Sequence, residues 1–206
     1  MATLFVFDEP NSRFVTADPA IMGRCKSCSG LIWTDSRFLY ACKRLCTRYE
    51  LSLCSSFRPL AGAAGICPAR CAGLCGDFTL LSPCRGIAAV QNEIRRYCIA
   101  HRLFSYVYPQ YSTPIRITGE VSLGRSSPNI GYPDLFPGNV GVHVFVLQQA
   151  LNMLGFPCLM SGRLSGDTLS ALSAFRLKSG LSSALVDAAH WRALFAAIKK
   201  GGTAVP

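Results

Sequence analysis

Hydrophobic residues follow a helical period over residues 140–195, in three segments separated by short turns that contain Gly or Ser. In the first segment the apolar positions recur at steps of three and four, so they line one stripe of a helix. This stripe consists of Val140, Val144, Leu147, Leu151 and Leu154. Gly155 follows it, at the place where a left-handed residue closes a helix. The pattern therefore predicts a helix that ends at Gly155.

The second and third segments show similar spacing. Leu169, Leu172 and Phe175 repeat every three positions, and Asp167 is predicted to cap their helix. Asp187 is predicted to cap the third helix. The apolar face of that helix consists of Trp191, Leu194, Phe195 and Ile198. Three short helices that share one apolar centre predict an all-α three-helix C-terminal bundle.

The first 118 residues mix strand-like and helix-like patterns. Strands are predicted over 4–7, 51–57, 74–80, 104–108 and 115–118, and helices over 34–49 and from 82 or 83 to 98. Residues 9–33 show no period and are predicted to be irregular. This mixture predicts an α+β N-terminal domain with a small, mainly antiparallel sheet. The resulting boundaries are a domain over 1–120, a Gly-, Pro- and Ser-rich linker over 121–139, and the bundle over 140–206.

The C-terminal segments also carry a sequence motif. VLQQALNMLGF, SGRLSGDTLSALSAF and VDAAHWRAL resemble, in this order, the peptidoglycan-binding-like repeat domain of bacterial and phage wall hydrolases. The chain departs from that pattern at Ser161, where Asp is usual, at Arg176, where Gln is usual, and at His190, where Thr is usual. It also has Leu164 and Ser165 where Phe-Gly is usual. The matching residues are Leu147, Gln148, Leu151, Asn152, Leu154, Gly155, Gly162, Thr168, Ala171, Phe175, Gly180, Leu181, Val186 and Trp191.

This resemblance implies binding to glycan strands or stem peptides of peptidoglycan. Polar residues in or near the turns of the bundle are the candidate contacts. They are Arg163, Asp167, Thr168 and Arg176. The alternative interpretation is that these side chains form ordinary solvated surface.

The N-terminal half resembles a second family in four ordered segments. LFVFD, SSFRPL, RCAGLCGDF and FSYVYPQYSTPIRITGE are similar to the zinc D,D-carboxypeptidases of the Hedgehog/D,D-peptidase fold. Gly73 and Asp77 fit the glycine and aspartate of the metal signature of that family. Arg70 stands at the zinc histidine, Tyr108 at the glutamate base and Thr118 at the final histidine. Pro68 and Cys75 replace the Ser and Ala of the signature.

These replacements change what the site could do. Catalytic zinc needs three protein ligands and an open position for water, and the water needs a base. Arg70, Tyr108 and Thr118 cannot supply these functions, which predicts a pseudoenzyme without a cofactor. We expect Arg70 to pair with Asp77 in the vacated cleft. The alternative is a rebuilt zinc site on Cys71, Cys75 and Asp77, since thiolate binds zinc well. The simpler explanation of these cysteines is that they are buried thiols or form disulfides.

Composition limits the partners. The chain carries a net charge of +10, which favours anionic partners such as wall polymers. It shows neither the aromatic-and-basic repeat of an RNA-binding sheet nor a Cys-His finger spacing, so nucleic acid is not expected. No apolar run is long enough for a membrane span. Ten of the eleven cysteines lie between Cys25 and Cys98, as disulfides, free thiols or metal ligands.

The first residues lack the basic and apolar regions of a secretory signal, so we expect synthesis in a cytoplasm and action at a cell wall or in a spore or phage particle. The function expected from the sequence is non-catalytic binding to peptidoglycan or another anionic wall polymer. One alternative is an active zinc murein peptidase. Another is a protein–protein interaction platform in an envelope, spore or phage assembly.

Overall fold

The computed structural model describes residues 3–18, 21, 31–55, 57, 60, 68–81, 86–104, 106–110, 116–121 and 132–201. The fold is mixed α/β, with small sheets and short helices. In chain order the elements are β1 (Thr3–Asp8), β2 (Arg13–Ala17), β3 (Leu31–Asp35), α1 (Ser36–Tyr49), β4 (Leu51–Ser55), α2 (Pro68–Cys71), β5 (Cys75–Leu80), α3 (Ile87–Ala100), β6 (Tyr106–Gln110), β7 (Arg116–Glu120), α4 (Val142–Met153), α5 (Gly166–Ser179) and α6 (Ala188–Gly201).

The chain forms two compact units that do not follow a simple division into halves. The first unit contains Met1–Arg58 and Gly73–Ser122, and the second contains Pro59–Ala72 and Leu123–Pro206. Within the second unit, the Leu60 backbone N–H donates to the Gln149 side-chain oxygen at 3.2 Å. A short segment from the middle of the sequence thus packs with the C-terminal helices.

A three-stranded sheet opens the first unit. β1 lies at its centre, antiparallel to β2 and parallel to β3. The prediction that residues 9–33 are irregular is therefore wrong at both of these neighbouring strands. All five β2 side chains are exposed or half-buried, and four of the five β3 residues are buried, so neither strand has the alternation that identifies a half-buried strand.

Helix α1 confirms the helix predicted over residues 34–49. The Asp35 carboxylate accepts the Arg37 backbone N–H at 2.9 Å and caps the helix. The same carboxylate, which is buried, receives the Arg37 guanidinium through two further bonds of 2.8 Å. The helix ends at Glu50, which adopts a left-handed conformation. Its buried side chains are Phe38, Ala41, Cys42 and Leu45.

A second, antiparallel sheet has the strand order β4-β5-β7-β6. Two sheets therefore replace the single sheet expected from the sequence. Phe78 on β5 is fully buried, and the Phe104 ring packs 5.7 Å from it and 6.3 Å from Phe38. Helix α3 begins at Ile87, after a left-handed Gly86, and not at residue 82 or 83 as predicted.

Helices α4, α5 and α6 lie in the second unit together with the short α2, and α4 contacts both α5 and α6. Asp187 accepts the backbone N–H groups of Ala189 and His190, which confirms its predicted capping role. The predicted cap at Asp167 is wrong, because Ser165 occupies the N-cap position and Asp167 lies inside the first turn. The left-handed conformation of Gly155, with φ of 79°, is confirmed.

Residues 132–139, which the sequence pattern assigns to the linker, contribute to the interior of the second unit. Tyr132 is fully buried and stacks on the Trp191 ring at 4.6 Å. The Trp191 indole N–H donates to the Pro133 carbonyl at 3.0 Å. Leu135 exchanges two backbone hydrogen bonds with Val186. These contacts join positions more than 50 residues apart, so local periodicity gave no sign of them.

Candidate functional site

Three positions that the D,D-peptidase resemblance selects meet in the antiparallel sheet. Asp77 on β5 is paired with Thr118 on β7. Thr118 is in turn paired with Tyr108 on β6. The three residues come from three separate segments of the chain, and their backbones form one row across neighbouring strands. The structure therefore brings the predicted aspartate, final-histidine and base positions together.

The chemistry of this row depends on Asp77 and Thr118. The Thr118 hydroxyl, in a residue that is 8% exposed, donates to an Asp77 carboxylate oxygen at 2.7 Å. A threonine hydroxyl lacks the basic nitrogen that lets histidine bind zinc or take up a proton. The carboxylate is engaged with a neutral donor from the neighbouring strand. The described hydrogen bond joins β5 to β7 as a structural contact.

Gly73, which fits the glycine of the metal signature, has a structural reason to be glycine. Its φ is 68°, a conformation that side chains with a Cβ rarely adopt. A Cβ added here would also collide with the Trp33 backbone carbonyl. The Thr34 hydroxyl donates to the Gly73 carbonyl. The turn before β5 is thus fixed against the end of β3 in a way that needs no metal.

The remaining predicted residues of this half are distributed differently. Arg70 and Cys71 lie in or at the end of α2, in the second compact unit, so the ion pair of Arg70 with Asp77 stays a prediction. Among the described residues, no group of three or more His, Cys, Asp or Glu side chains is arranged to hold a metal ion. The Cys71, Cys75 and Asp77 set therefore has no support here. Cys25 and Cys28 lie outside the described residues.

Free thiols are present at Cys42, Cys46, Cys54, Cys98 and Cys158. Burial raises the pKa of Cys98 to about 11. Burial is also the main cause of the raised pKa values of Cys42, Cys46 and Cys158. Because the thiolate is the nucleophile, these four thiols are poorly suited to covalent catalysis at neutral pH.

The polar residues of the peptidoglycan-binding-like motif form a buried network around Gln148. The Gln148 amide oxygen accepts the backbone N–H groups of Ser161 and Gly162 at 3.0 and 2.9 Å. Its amide nitrogen donates to the Thr168 hydroxyl at 2.8 Å and to the Arg163 carbonyl at 3.2 Å. Gln148 is fully buried. One side chain of α4 therefore fixes the turn that leads into α5.

The candidate glycan contacts separate into two groups. Thr168 is 2% exposed and belongs to the Gln148 network, so its side chain supports the turn and is not free for a ligand. Arg163 and Asp167 are exposed, and Arg176 is half-buried. Two exposed candidates and one half-buried candidate thus stay open to solvent.

The structure also joins two of the positions at which the chain departs from the motif. The Arg176 Nε–H donates to the His190 Nε2 at 3.1 Å, so this nitrogen is an acceptor and the His190 Nδ1–H donates to the Asp187 carboxylate at 2.8 Å. Partial burial lowers the pKa of Arg176. The sequence marked Arg176 and His190 as separate departures from the family pattern. The structure places them in direct contact.

No family model, curated protein or solved structure matches this chain. Among the described residues, no helix is long and apolar enough to span a membrane.

Proposed function

We propose that the protein is a non-catalytic bacterial cell-wall binding protein. In this proposal a D,D-peptidase-like domain has lost its hydrolytic groups, and a three-helix peptidoglycan-binding-like bundle contacts the wall. The observation that carries it is the row formed by Asp77, Thr118 and Tyr108. The resemblance places these residues at metal-ligand and base positions. Their meeting in one row supports the alignment, and the Thr118–Asp77 hydrogen bond supports the loss of chemistry.

The buried network around Gln148 supports the second part of the proposal. Gln148, Gly162 and Thr168 match the family motif, and all three take part in this network. These residues therefore have a structural role. Because these shared residues hold the turn together, the motif indicates the conformation of the turn. The exposed residues beside the turn then determine which ligand the bundle binds. Arg163 and Asp167 are exposed charged residues at this turn, so we assign the wall contact to them.

The test is sedimentation of the purified protein with insoluble peptidoglycan. Wild-type protein is expected to sediment with the wall, and the Arg163→Ala/Asp167→Ala variant is expected to bind roughly tenfold more weakly. The matched control is Arg192→Ala/Asp134→Ala, which removes the same two charges from exposed positions of the same unit. Wild-type protein that stays wholly in the supernatant contradicts the proposal. Equal losses in the two variants contradict the assigned contact.

A further inference from the structure

A buried histidine lies between a cation and a carboxylate at the start of α6. His190 is fully buried, and both of its ring nitrogens have hydrogen-bond partners. Its Nδ1 is 2.8 Å from the Asp187 carboxylate, and its Nε2 is 3.1 Å from the Arg176 Nε. An arginine Nε donates and never accepts a hydrogen bond. The contact with Arg176 therefore requires a neutral imidazole whose Nε2 has a free lone pair.

Arg176 also contacts the turn that joins α5 to α6, over residues 180–187. Its Nη2 donates to the Ala184 carbonyl at 2.6 Å. The guanidinium thus holds the His190 ring with one nitrogen and the turn with another. Because the guanidinium is planar and rigid, a movement away from the ring also removes the donor to the turn. The state of the ring and the hold on the turn are therefore linked.

Charged and titratable side chains on the elements around His190 are less well placed to act on it. Asp134 is exposed, on the segment that is bridged to the end of the turn. Arg192 of α6 is exposed, and Lys178 of α5 lies over a phenylalanine ring. His143 of α4 meets a tyrosine ring. Since solvent screens exposed charges, the guanidinium and the carboxylate in direct contact set the response of the ring to pH.

We propose that His190 is a pH-operated latch on the turn between α5 and α6. A proton taken up from solvent at Nε2 replaces the acceptor for Arg176 with a second donor. It also places two positive charges at hydrogen-bond distance, where they repel each other. The charged ring keeps its bond to Asp187, because a carboxylate accepts strongly from a cationic donor. The half-buried guanidinium then turns towards solvent, and Ala184 loses its donor.

The latch is a property of the fold and does not depend on what the protein binds. An NMR titration of isotope-labelled wild-type protein tests it between about pH 8 and pH 5, the range in which histidine changes charge. Ring nitrogen shifts report the protonation of His190, and the Arg176 Nε–H and Ala184 carbonyl resonances report the two hydrogen bonds. We expect both resonances to move towards the positions of unbonded groups with the same midpoint as the ring. Far-UV circular dichroism should stay constant, because the helices remain folded.

Two variants separate the latch from general effects of pH. Arg176→Met removes the guanidinium and keeps an unbranched side chain that favours helix. In this variant the His190 ring should take up its proton about one pH unit higher than in wild type, because the neighbouring positive charge is gone. The matched control is His143→Gln, which removes a titratable ring from α4 of the same unit. In the control, the midpoint at Arg176 and Ala184 should stay as in wild type.

Three results would overturn the inference. The first is a His190 ring that stays neutral down to about pH 5, because the latch then never opens. The second is a protonated ring with unmoved Arg176 and Ala184 resonances, because the ring then does not control the turn. The third is a response at Arg176 and Ala184 that disappears in His143→Gln, because a different histidine then causes it.

Discussion

At Thr118 a hydroxyl group takes the place of a histidine in the D,D-peptidase pattern, and the structure gives it a partner. Thr118→Val keeps the shape of the side chain and removes its donor to the Asp77 carboxylate. We expect the free energy of unfolding to fall by about 2 kcal/mol, because a hydrogen bond to a charged group is lost in a largely buried position. Denaturant-induced unfolding at neutral pH measures the change.

The control for that substitution is Thr79→Val on the neighbouring row of β5. The Thr79 hydroxyl meets the thiol of the exposed Cys54, a weak partner that water can replace. We expect a change below about 0.5 kcal/mol there. Equal destabilisation by both substitutions would show that the Thr118–Asp77 contact has no special weight.

Cys98 and Cys54 should differ sharply in reactivity. Burial raises the pKa of Cys98 to about 11, so at pH 8 only about one thiol in a thousand is ionised. Cys54 is exposed. Native protein treated with iodoacetamide at pH 8 should therefore be labelled at Cys54 and protected at Cys98, with protection lost in denaturant. Peptide mass spectrometry measures both sites. Similar labelling rates in the native state would contradict the buried position of Cys98.

At the scale of elements, Gln148 links α4 to the turn before α5. Gln148→Leu removes the acceptor for the Ser161 and Gly162 backbone N–H groups. We expect a loss of about 3 kcal/mol in the free energy of unfolding, since buried donors are left without partners. Gln149→Leu in the same helix is the control, because Gln149 is only half-buried and its oxygen receives the Leu60 N–H. A loss at position 149 as large as that at 148 would contradict the network's role.

The start of α6 should show a specific pH dependence. The pKa of Asp187 is lowered in the folded protein, chiefly by the side-chain hydrogen bond from His190. Its contribution to stability is therefore complete above the ordinary carboxyl value of 3.8 and is lost as the pH falls through the lower folded value. Asp187→Asn should lower the thermal midpoint near pH 6, and the difference from wild type should shrink below about pH 4. A difference that stays constant with pH would contradict this assignment.

The elements that the sequence predicted well are those with local causes. Helix α1 has its cap and its apolar face within one stretch, and Asp187 and Gly155 act on their immediate neighbours. Strand β3 and the segment around Tyr132 depend on partners elsewhere: β1 for the strand, and Trp191 for the tyrosine. Periodicity carries no information about such pairings. For that reason the Gly-, Pro- and Ser-rich pattern predicted a linker where residues 132–139 are in fact packed.

For the molecule as a whole, the sequence located part of the candidate site. The family resemblance selected Asp77, Tyr108 and Thr118, and the strand register brings them together. It did not predict the chain of contacts from Arg176 through His190 to Asp187. Arg176 and His190 depart from the motif, and these departures were the only sign of the contact in the sequence. Only the structure shows that the two side chains meet.

The central claim, binding without cleavage, is tested most directly by one experiment on purified peptidoglycan. Protein is incubated with the wall, with and without added zinc. The bound fraction and the newly released amino groups and D-alanine are then measured in the same sample. We predict that protein sediments with the wall and releases neither product above the level of a protein-free control. Release that requires protein and increases with zinc would contradict it.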